Sequence, residues 1–497
     1  MELLDFVIRQ TDKYIDSIPR TERKKYGQFF TSIETAVFMA SLFDIPENKS
    51  TLRILDTGAG TGILSAALIQ RLEGISSLQK IYLVCYENDH QVLEVLRRNL
   101  DWIKTHSNIQ IDYEIRNDNY ILEQEKDYNC TSETDSNHKK FDMVIGNPPY
   151  MKIGKDAPEA KAMPDICYGA PNLYFLFIAM GVFNLFQKGE LVYIVPRSWT
   201  SGTYFKRFRK KILSITALKH IHLFVSRNKV FDRDNVLQET IIIKLKKSND
   251  RPKHITITTT RNNKDFSKRT IFKAPYNTVI SGEEAYVYLV THEDDVAVLE
   301  KVDKLSHTLP SIGLKMRTGL TVDFRHKEEL RDNKEHGAVP LFYPQHIQSG
   351  KILFPIGKAK EYIVTDKTSL LQNNSNYLFV KRFTTKEERR RLQCGVYLSK
   401  AFPCYEKIST QNKINFIGGN TDLSEELIYG LYVIFNSTLY DRYYRILNGS
   451  TQVNSTEINS IPIPSKAVIK QLGEKIIKLQ DMSEQCCDNV LMELLYG

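Results

Sequence analysis

No stretch of the 497-residue chain is apolar for long enough to read as a membrane span. The longest apolar run, LYFLFIAMGVFNLF (Leu173 to Phe186), is interrupted by Asn184 and falls short of the roughly 20 residues a spanning helix needs. The first segment, MELLDFVIRQTDKYID, alternates charged and apolar residues and lacks a signal-peptide core, so a cytoplasmic protein with no membrane partner is expected. The seven cysteines are scattered without a C-x-x-C pair, and the vicinal Cys486 and Cys487 cannot build a zinc site alone. That speaks against a disulfide scaffold, and no metal is expected. Neither sign of charge dominates: 68 Lys and Arg stand against 59 Asp and Glu, a net +9. The surplus is small, but it has the sign a partner of polyanions needs.

What is present is an alternating pattern. TLRILDTG reads as a strand, TGILSAALIQRL as a helix, KIYLVCYE as a strand and DHQVLEVLRRNLDWI as an amphipathic helix. IDYEIRN and FDMVIGN follow as strands, then the apolar helix after Asn172, then ELVYIVP, HIHLF and QETIIIKLKK as further strands. Such alternation predicts a doubly wound, mostly parallel α/β sheet covered on both faces. The polar stretch EQEKDYNCTSETDSNHKK reads as a surface excursion. After SNDRPK the segments become shorter and mixed, which places a boundary between about 250 and 300 and gives two expected domains, 1–270 and 271–497.

Two motifs carry the chemistry. ILDTGAGTG sets Asp56, Gly58, Gly60 and Gly62 between a strand and a helix, where glycines let the backbone approach a ligand closely. Ile63 and Leu64 stand where a phosphate-binding loop would place Lys and Ser or Thr, which excludes that loop. The next strand ends in Glu87 and Asn88, a position from which a carboxylate holds ribose hydroxyls. A tight ligand-free turn and a nicotinamide-dinucleotide site remain alternatives for the glycines alone. The second motif is NPPY, Asn147 to Tyr150, where Pro148 and Pro149 must end the strand because they donate no ladder hydrogen bonds. Ligands of open α/β sheets sit beyond the carboxyl ends of the strands, so both motifs should face one crevice.

The D-x-G-x-G-x-G pattern with its following carboxylate is similar to the S-adenosylmethionine site of class I methyltransferases, and NPPY resembles amino-methyltransferases acting on adenine N6. The chemistry suits that resemblance, because the N6 lone pair is delocalised into the ring. Two fixed acceptors, the Asn147 side-chain oxygen and the Pro148 carbonyl, would grip the amino hydrogens and free that lone pair. Pro149 stiffens the corner, and Tyr150 offers a face on which an extruded base stacks. KKYGQFFTSIETAVFMASLF, with Tyr26, Gly27 and Thr31, resembles the amino-terminal cofactor segment of the γ-class enzymes, with Ser32 where proline is usual. Asp118, Asn119 and Tyr120 fall where the family contacts the cofactor adenine; either Asp118 or Asn119 serves. SRNKVFDRDNVLQETIIIKL is similar to the late catalytic segment, with Phe231 opposite the flipped base or else a core residue.

YLFVKRFTTKEERRRLQCGVY and YRILNGSTQVNSTEINSIPIP resemble the Eco57I-type adenine methyltransferases of restriction-modification systems. The resemblance spans most of the chain and is strongest over residues 26 to 245. It implies a Rossmann-like sheet of seven strands, a carboxyl-terminal α/β target-recognition domain, S-adenosylmethionine as cofactor and double-stranded DNA as partner. It also implies a separate restriction endonuclease acting alongside a monomeric methylase. Glutamine amides of proteins and amino groups of RNA are the rival acceptors, and a non-catalytic DNA-binding subunit the rival class. For DNA contact the candidates are Lys206, Arg207, Arg209 and Lys210, with Lys211 adjoining them on one helix. EERRRL reads more simply as a solvated helix face. GSTQVN and INFIGGN are either major-groove readers or ordinary turns.

Overall fold

A computed structural model describes residues 2–17, 31–45, 48–130, 140–169, 171–224, 239–385, 387–448 and 451–497. The chain divides into two compact units, Met1–Glu293 and Asp294–Gly497.

The first unit is organised around a sheet that has nine strands among the described residues. They are β1 (Thr51–Asp56), β2 (Lys80–Tyr86), β3 (Gln110–Arg116), β4 (Phe141–Gly146), β5 (Leu185–Pro196), β6 (Thr216–Phe224), β7 (Thr240–Lys247), β8 (His254–Thr260) and β9 (Thr270–Pro275). Their spatial order is β3-β2-β1-β4-β5-β7-β6-β8-β9. The first five pair in parallel, and β7 inserts antiparallel between β5 and β6. Strand order reverses between β1 and β4, which places a crevice at their carboxyl ends. The seven strands expected from sequence are extended by β8, parallel to β6, and β9, antiparallel to β8. HITITTT alternates hydrophobic and threonine side chains and belongs to this sheet, so the first unit runs past residue 270.

Helices α1 (Leu3–Ser17), α2 (Ile33–Ser41), α3 (Ile63–Leu72), α4 (His90–His106), α5 (Leu173–Phe183) and α6 (Lys206–Ile215) accompany the sheet. Helix α5 is buried almost all round, as its apolar sequence requires, and the Asn172 side chain caps it. Helix α1 buries Leu3, Leu4, Val7, Thr11 and Ile15, one stripe at helical spacing. Its Phe6 stacks on Trp102 of α4 at 4.1 Å, and the Leu4 amide donates to Gln70 of α3. The helix therefore lies across the two helices that follow β1 and β2. Of the polar excursion before β4, Glu125–Asn129 form a short helix and 131–139 lie outside the described residues.

The second unit contains a six-stranded sheet with Ile414–Gly419 inside it, between Leu314–Thr318 and Tyr377–Lys381. INFIGG is thus a strand rather than a reading loop: Asn415 is fully buried and donates to the Val453 carbonyl at 2.7 Å. EERRRL is not helical either. Arg389 and Arg390 pair with Glu484, and buried Arg391 donates to Thr384 and Asn448. Helices Glu425–Asn436 and Lys466–Leu479 pack through Gly430 and Gly473, where an added Cβ would overlap the carbonyl oxygens of Ile469 and Glu426.

Candidate functional site

The crevice is built where β1, β2 and β4 end. Asp56 closes β1 and is fully buried. Burial pushes its carboxyl up to about 7, while the Ser65 hydroxyl, donating at 2.7 Å, pulls the other way. After Asp56 the chain turns through Gly60 and Gly62 at positive φ (55° and 87°), a region where a Cβ is strained. The Ala59 amide donates to the Tyr86 carbonyl at 2.9 Å, and Asn99 of α4 donates to the Thr61 carbonyl at 2.8 Å. Thr11 of α1 shares a hydrogen bond of 2.7 Å with the Thr61 hydroxyl. The amino-terminal helix therefore braces the glycine loop.

Glu87 follows β2 and takes the Gly60 amide at 2.8 Å and the Asp89 amide at 2.9 Å. Burial raises its carboxyl above the ordinary range, and these amides counter the shift. Asn88 beside it is exposed. Tyr14 faces the same carboxylates: burial first, then Asp89 and Glu87, push its phenol up to about 12.

Strand β4 brings the second motif to this loop. Asp56 is in register with Ile145, and the Thr57 amide donates to the Ile145 carbonyl at 3.4 Å. At Gly146 a Cβ would meet the Thr57 hydroxyl at 2.6 Å and the Tyr193 ring at 2.9 Å, so only glycine lets the chain pass. The Asn147 carbonyl oxygen lies 3.6 Å from where a Cβ on Gly58 would stand. Asn147 and the glycine loop are immediate neighbours. The Asn147 Nδ2 donates to Thr31 Oγ1 at 3.2 Å, and its Oδ1 accepts from the Tyr150 hydroxyl at 2.8 Å. That hydroxyl is also 3.1 Å from the Ile194 carbonyl oxygen. Pro148 is buried, and Pro149 and Tyr150 are half-buried.

Asp56, Gly58, Gly60, Gly62, Glu87, Thr31, Asn147, Pro148 and Tyr150 thus converge. Asp118 is exposed beyond β3, whereas Asn119 caps a short helix with its oxygen and donates to Glu159 at 2.8 Å. Tyr120 is buried, its hydroxyl donating to Asn184. Tyr26, Gly27 and Phe231 lie outside the described residues. The basic cluster needs a correction at Arg209, which is fully buried. It donates to the Trp199, Gly202 and Glu284 carbonyls and lies over Tyr286, so it braces its own loop instead of facing solvent. Lys206 pairs with Glu284 and Lys211 with Asp165, while Arg207 and Lys210 are exposed.

Sequence reading missed Thr11, Tyr14 and Asn99, which reach the loop from helices. The buried stripe of α1 was the available signal. Among the described residues no cluster of side chains could hold a metal ion, and no helix is long and apolar enough to cross a membrane. The residues fit a cofactor with a ribose and a cationic end: a Cβ at Gly60 would meet nothing, leaving open space beside the Glu87 carboxylate, and Asp56 supplies a buried acid.

Two outcomes follow from these carboxyls. Glu87→Ala is expected to weaken cofactor binding about 10- to 100-fold, the range for losing hydrogen bonds to a charged group, in a titration of the free protein. For Asp56, the fold keeps the proton up to about 7, whereas the unfolded chain releases it in the ordinary carboxylate range. The group costs nothing when both states are protonated, and its penalty grows as pH rises toward about 7. Asp56→Asn should therefore gain stability relative to the parent as pH rises from about 4 to about 7 in denaturant titrations, and hold that gain above it. A flat difference across that window would contradict a raised carboxyl.

Residues 70–231 match the family model described as Eco57I restriction-modification methylase. The chain is 34% identical over 485 residues to Type II methyltransferase M.BsuBI of Bacillus subtilis, covering 95% of this chain and 94% of the relative. It is likewise 34% identical over 476 residues to Type II methyltransferase M.PstI of Providencia stuartii, covering 93% and 91%. Among solved structures, the Type IIL restriction-modification enzyme MmeI in complex with DNA superposes with a TM-score of 0.55 at 12% identity, over 99% of this chain and 74% of that one. That likeness concerns the fold.

Proposed function

This chain belongs to the Type II methyltransferases of restriction-modification systems, and on that premise we propose that it methylates N6 of an adenine in a specific duplex DNA sequence, with S-adenosylmethionine as donor. The single observation carrying the reading is the contact of Asn147 with the glycine loop, because transfer needs acceptor and donor in one crevice. When bound, the cofactor supplies an electrophilic methyl on a positively charged sulfur. Glu87 would hold its ribose hydroxyls, and the amides and open space of residues 58–62 would receive its backbone-facing edge. Asp56, whose proton the fold keeps up to about 7, would release it on binding to balance the cationic end.

The protein's own work is positional. The Asn147 Oδ1 and the Pro148 carbonyl accept the two amino hydrogens, which localises the nitrogen lone pair toward the methyl. Proline's fixed φ aims the second acceptor. The attacking nitrogen is neutral, so no side chain has to remove a proton first; once it has gained the methyl it is cationic and releases one proton to water. The target base must leave the stack at a cost of a few kcal/mol, which pocket contacts and phosphate contacts offset. Tyr150 provides the stacking face, and Phe231 is assigned to the opposite one. For the phosphates, Arg207 and Lys210 remain exposed on the first unit. In the second, Lys351 and Lys381 line a cavity of about 610 Å³, and neither ammonium has a hydrogen-bond or ion-pair partner among the described residues. The second unit is assigned to target recognition, and a separate endonuclease to cleavage; the methylase itself acts as a cytoplasmic monomer.

Tyr150→Ala is expected to weaken capture of the extruded base about tenfold, the worth of one stacking contact, while duplex affinity changes little. Fluorescence of 2-aminopurine at the target position reports the first and gel shift the second; equal losses would count against stacking. The function itself is tested by offering the purified protein labelled cofactor with duplex DNA, RNA or protein. Label is expected in DNA alone, and label only in RNA or protein would refute the proposal.

A further inference from the structure

The Asn147 amide has two chemically different ends, and only one serves the reaction proposed above. Its oxygen accepts amino hydrogens; its nitrogen would confront them donor to donor. Rotation by half a turn about the last side-chain bond exchanges the two, and that torsion has no strong intrinsic preference. The surroundings must therefore decide which end is presented.

Here both ends are held. The Nδ2 donates to Thr31 Oγ1 at 3.2 Å, and the Oδ1 accepts from the Tyr150 hydroxyl at 2.8 Å. Thr31 is buried and directly precedes Ser32, which caps α2 by accepting the Thr35 amide and donating to the Thr35 hydroxyl at 3.0 Å. The Thr31 backbone is thus anchored at a helix start. We propose that the hydroxyls of Thr31 and Tyr150 are a pair of positioning groups that lock the Asn147 amide with its oxygen toward the acceptor amine, a role resting on the methyl-transfer reading. Thr31 enters it through its contact with Asn147, which is distinct from the cofactor contact implied by its place in the sequence.

The third contact gives this pair its mechanism. The Tyr150 hydroxyl has one proton and two acceptors within reach, the Asn147 Oδ1 and the Ile194 carbonyl at 3.1 Å. Without substrate, the proton keeps the half-buried amide oxygen satisfied. On arrival of the amino group, the proton has the Ile194 carbonyl to turn to, so the oxygen is released to the incoming hydrogens without stranding a buried hydroxyl. Burial holds the Tyr150 phenol well above its ordinary range, so the hydroxyl remains a donor throughout.

The test uses the full chain and four variants: Thr31→Val, Thr31→Ser, Tyr150→Phe and the Thr31→Val/Tyr150→Phe double. At saturating cofactor, Thr31→Val is expected to slow single-turnover transfer about tenfold, the cost of losing one orienting hydrogen bond, with 2-aminopurine fluorescence essentially unchanged. Thr31→Ser, which restores the hydroxyl, should recover most of the rate. Tyr150→Phe keeps the ring and should lose a similar factor. Because both act through one amide, the double variant should lose clearly less than the product of the two singles.

Transfer at the parental rate by Thr31→Val overturns the proposal. So does a defect confined to cofactor affinity, failure of serine to rescue, or strict additivity. If the parent instead methylates a different amino acceptor, the methyl-transfer reading to adenine fails by itself, and the same variants assayed on that acceptor decide the role of the hydroxyls.

Discussion

Asn147→Ala is expected to lower the methyl-transfer rate by at least about 10²–10³-fold, the range seen on deleting one preorganised polar group, while cofactor affinity stays near the parental value. The two effects separate because the side chain and the main chain of Asn147 do different things. Its carbonyl packs against the glycine loop, and alanine preserves that backbone. Its amide carries the proposed acceptor oxygen and the contacts to Thr31 and Tyr150, all of which alanine removes. No buried charge is exposed, and the Tyr150 hydroxyl keeps the Ile194 carbonyl as an alternative. Single-turnover methylation of duplex DNA and a calorimetric cofactor titration check the two halves. Retained transfer would remove Asn147 from the chemistry, and joint loss of binding and transfer would mean the variant had disturbed the loop itself.

The largest stability effect is expected far from this crevice, at the glycine crossing of the second unit. Gly430→Ala and Gly473→Ala each place a methyl onto a backbone carbonyl, of Ile469 and Glu426 respectively. A flexible side chain would yield, but here two helix backbones must separate. Alanine is otherwise the better helix former, by roughly 1 kcal/mol over glycine, so propensity alone predicts the opposite sign. Overpacking costs about 1–3 kcal/mol and more when backbone has to move, so the steric term wins. Each variant should unfold at lower denaturant concentration than the parent. Unchanged or higher stability would mean that the helices part without strain.

Much of the first unit was legible because its signals are local. Asn172 before an apolar run announced the helix that it caps, the glycines announced the strand-to-helix loop, which turns at positive φ, and the prolines announced the end of β4. Charge was the poor guide. Arg209 and Arg391 look like exposed cations in a basic string, yet each is fully buried among backbone carbonyls and polar side chains. A guanidinium has five donors and a long apolar stem, so it bridges carbonyls inside a fold as readily as it meets phosphate. INFIGG illustrates a second failure, since its sequence reads as a base-reading loop or an ordinary turn. In the sheet, Gly418 and Gly419 leave room for the Tyr377 ring and Leu423 to pack over the strand. Strand β8 and the edge strand β9 were missed because the threonine-rich alternation of HITITTT and the short TIFKAP are weaker marks than a continuous apolar run. The Thr31–Asn147–Tyr150 chain joins residues 116 and 3 positions apart, a pairing that no periodicity reveals.

The most direct measurement is the nucleoside composition of DNA from a host expressing this protein, compared with a host expressing Asn147→Ala. N6-methyladenine is expected in the first, confined to one sequence context, and absent from the second. DNA bearing methylated cytosine in its place, or N6-methyladenine at equal levels in both hosts, would contradict an amide oxygen at residue 147 that grips an adenine amino group.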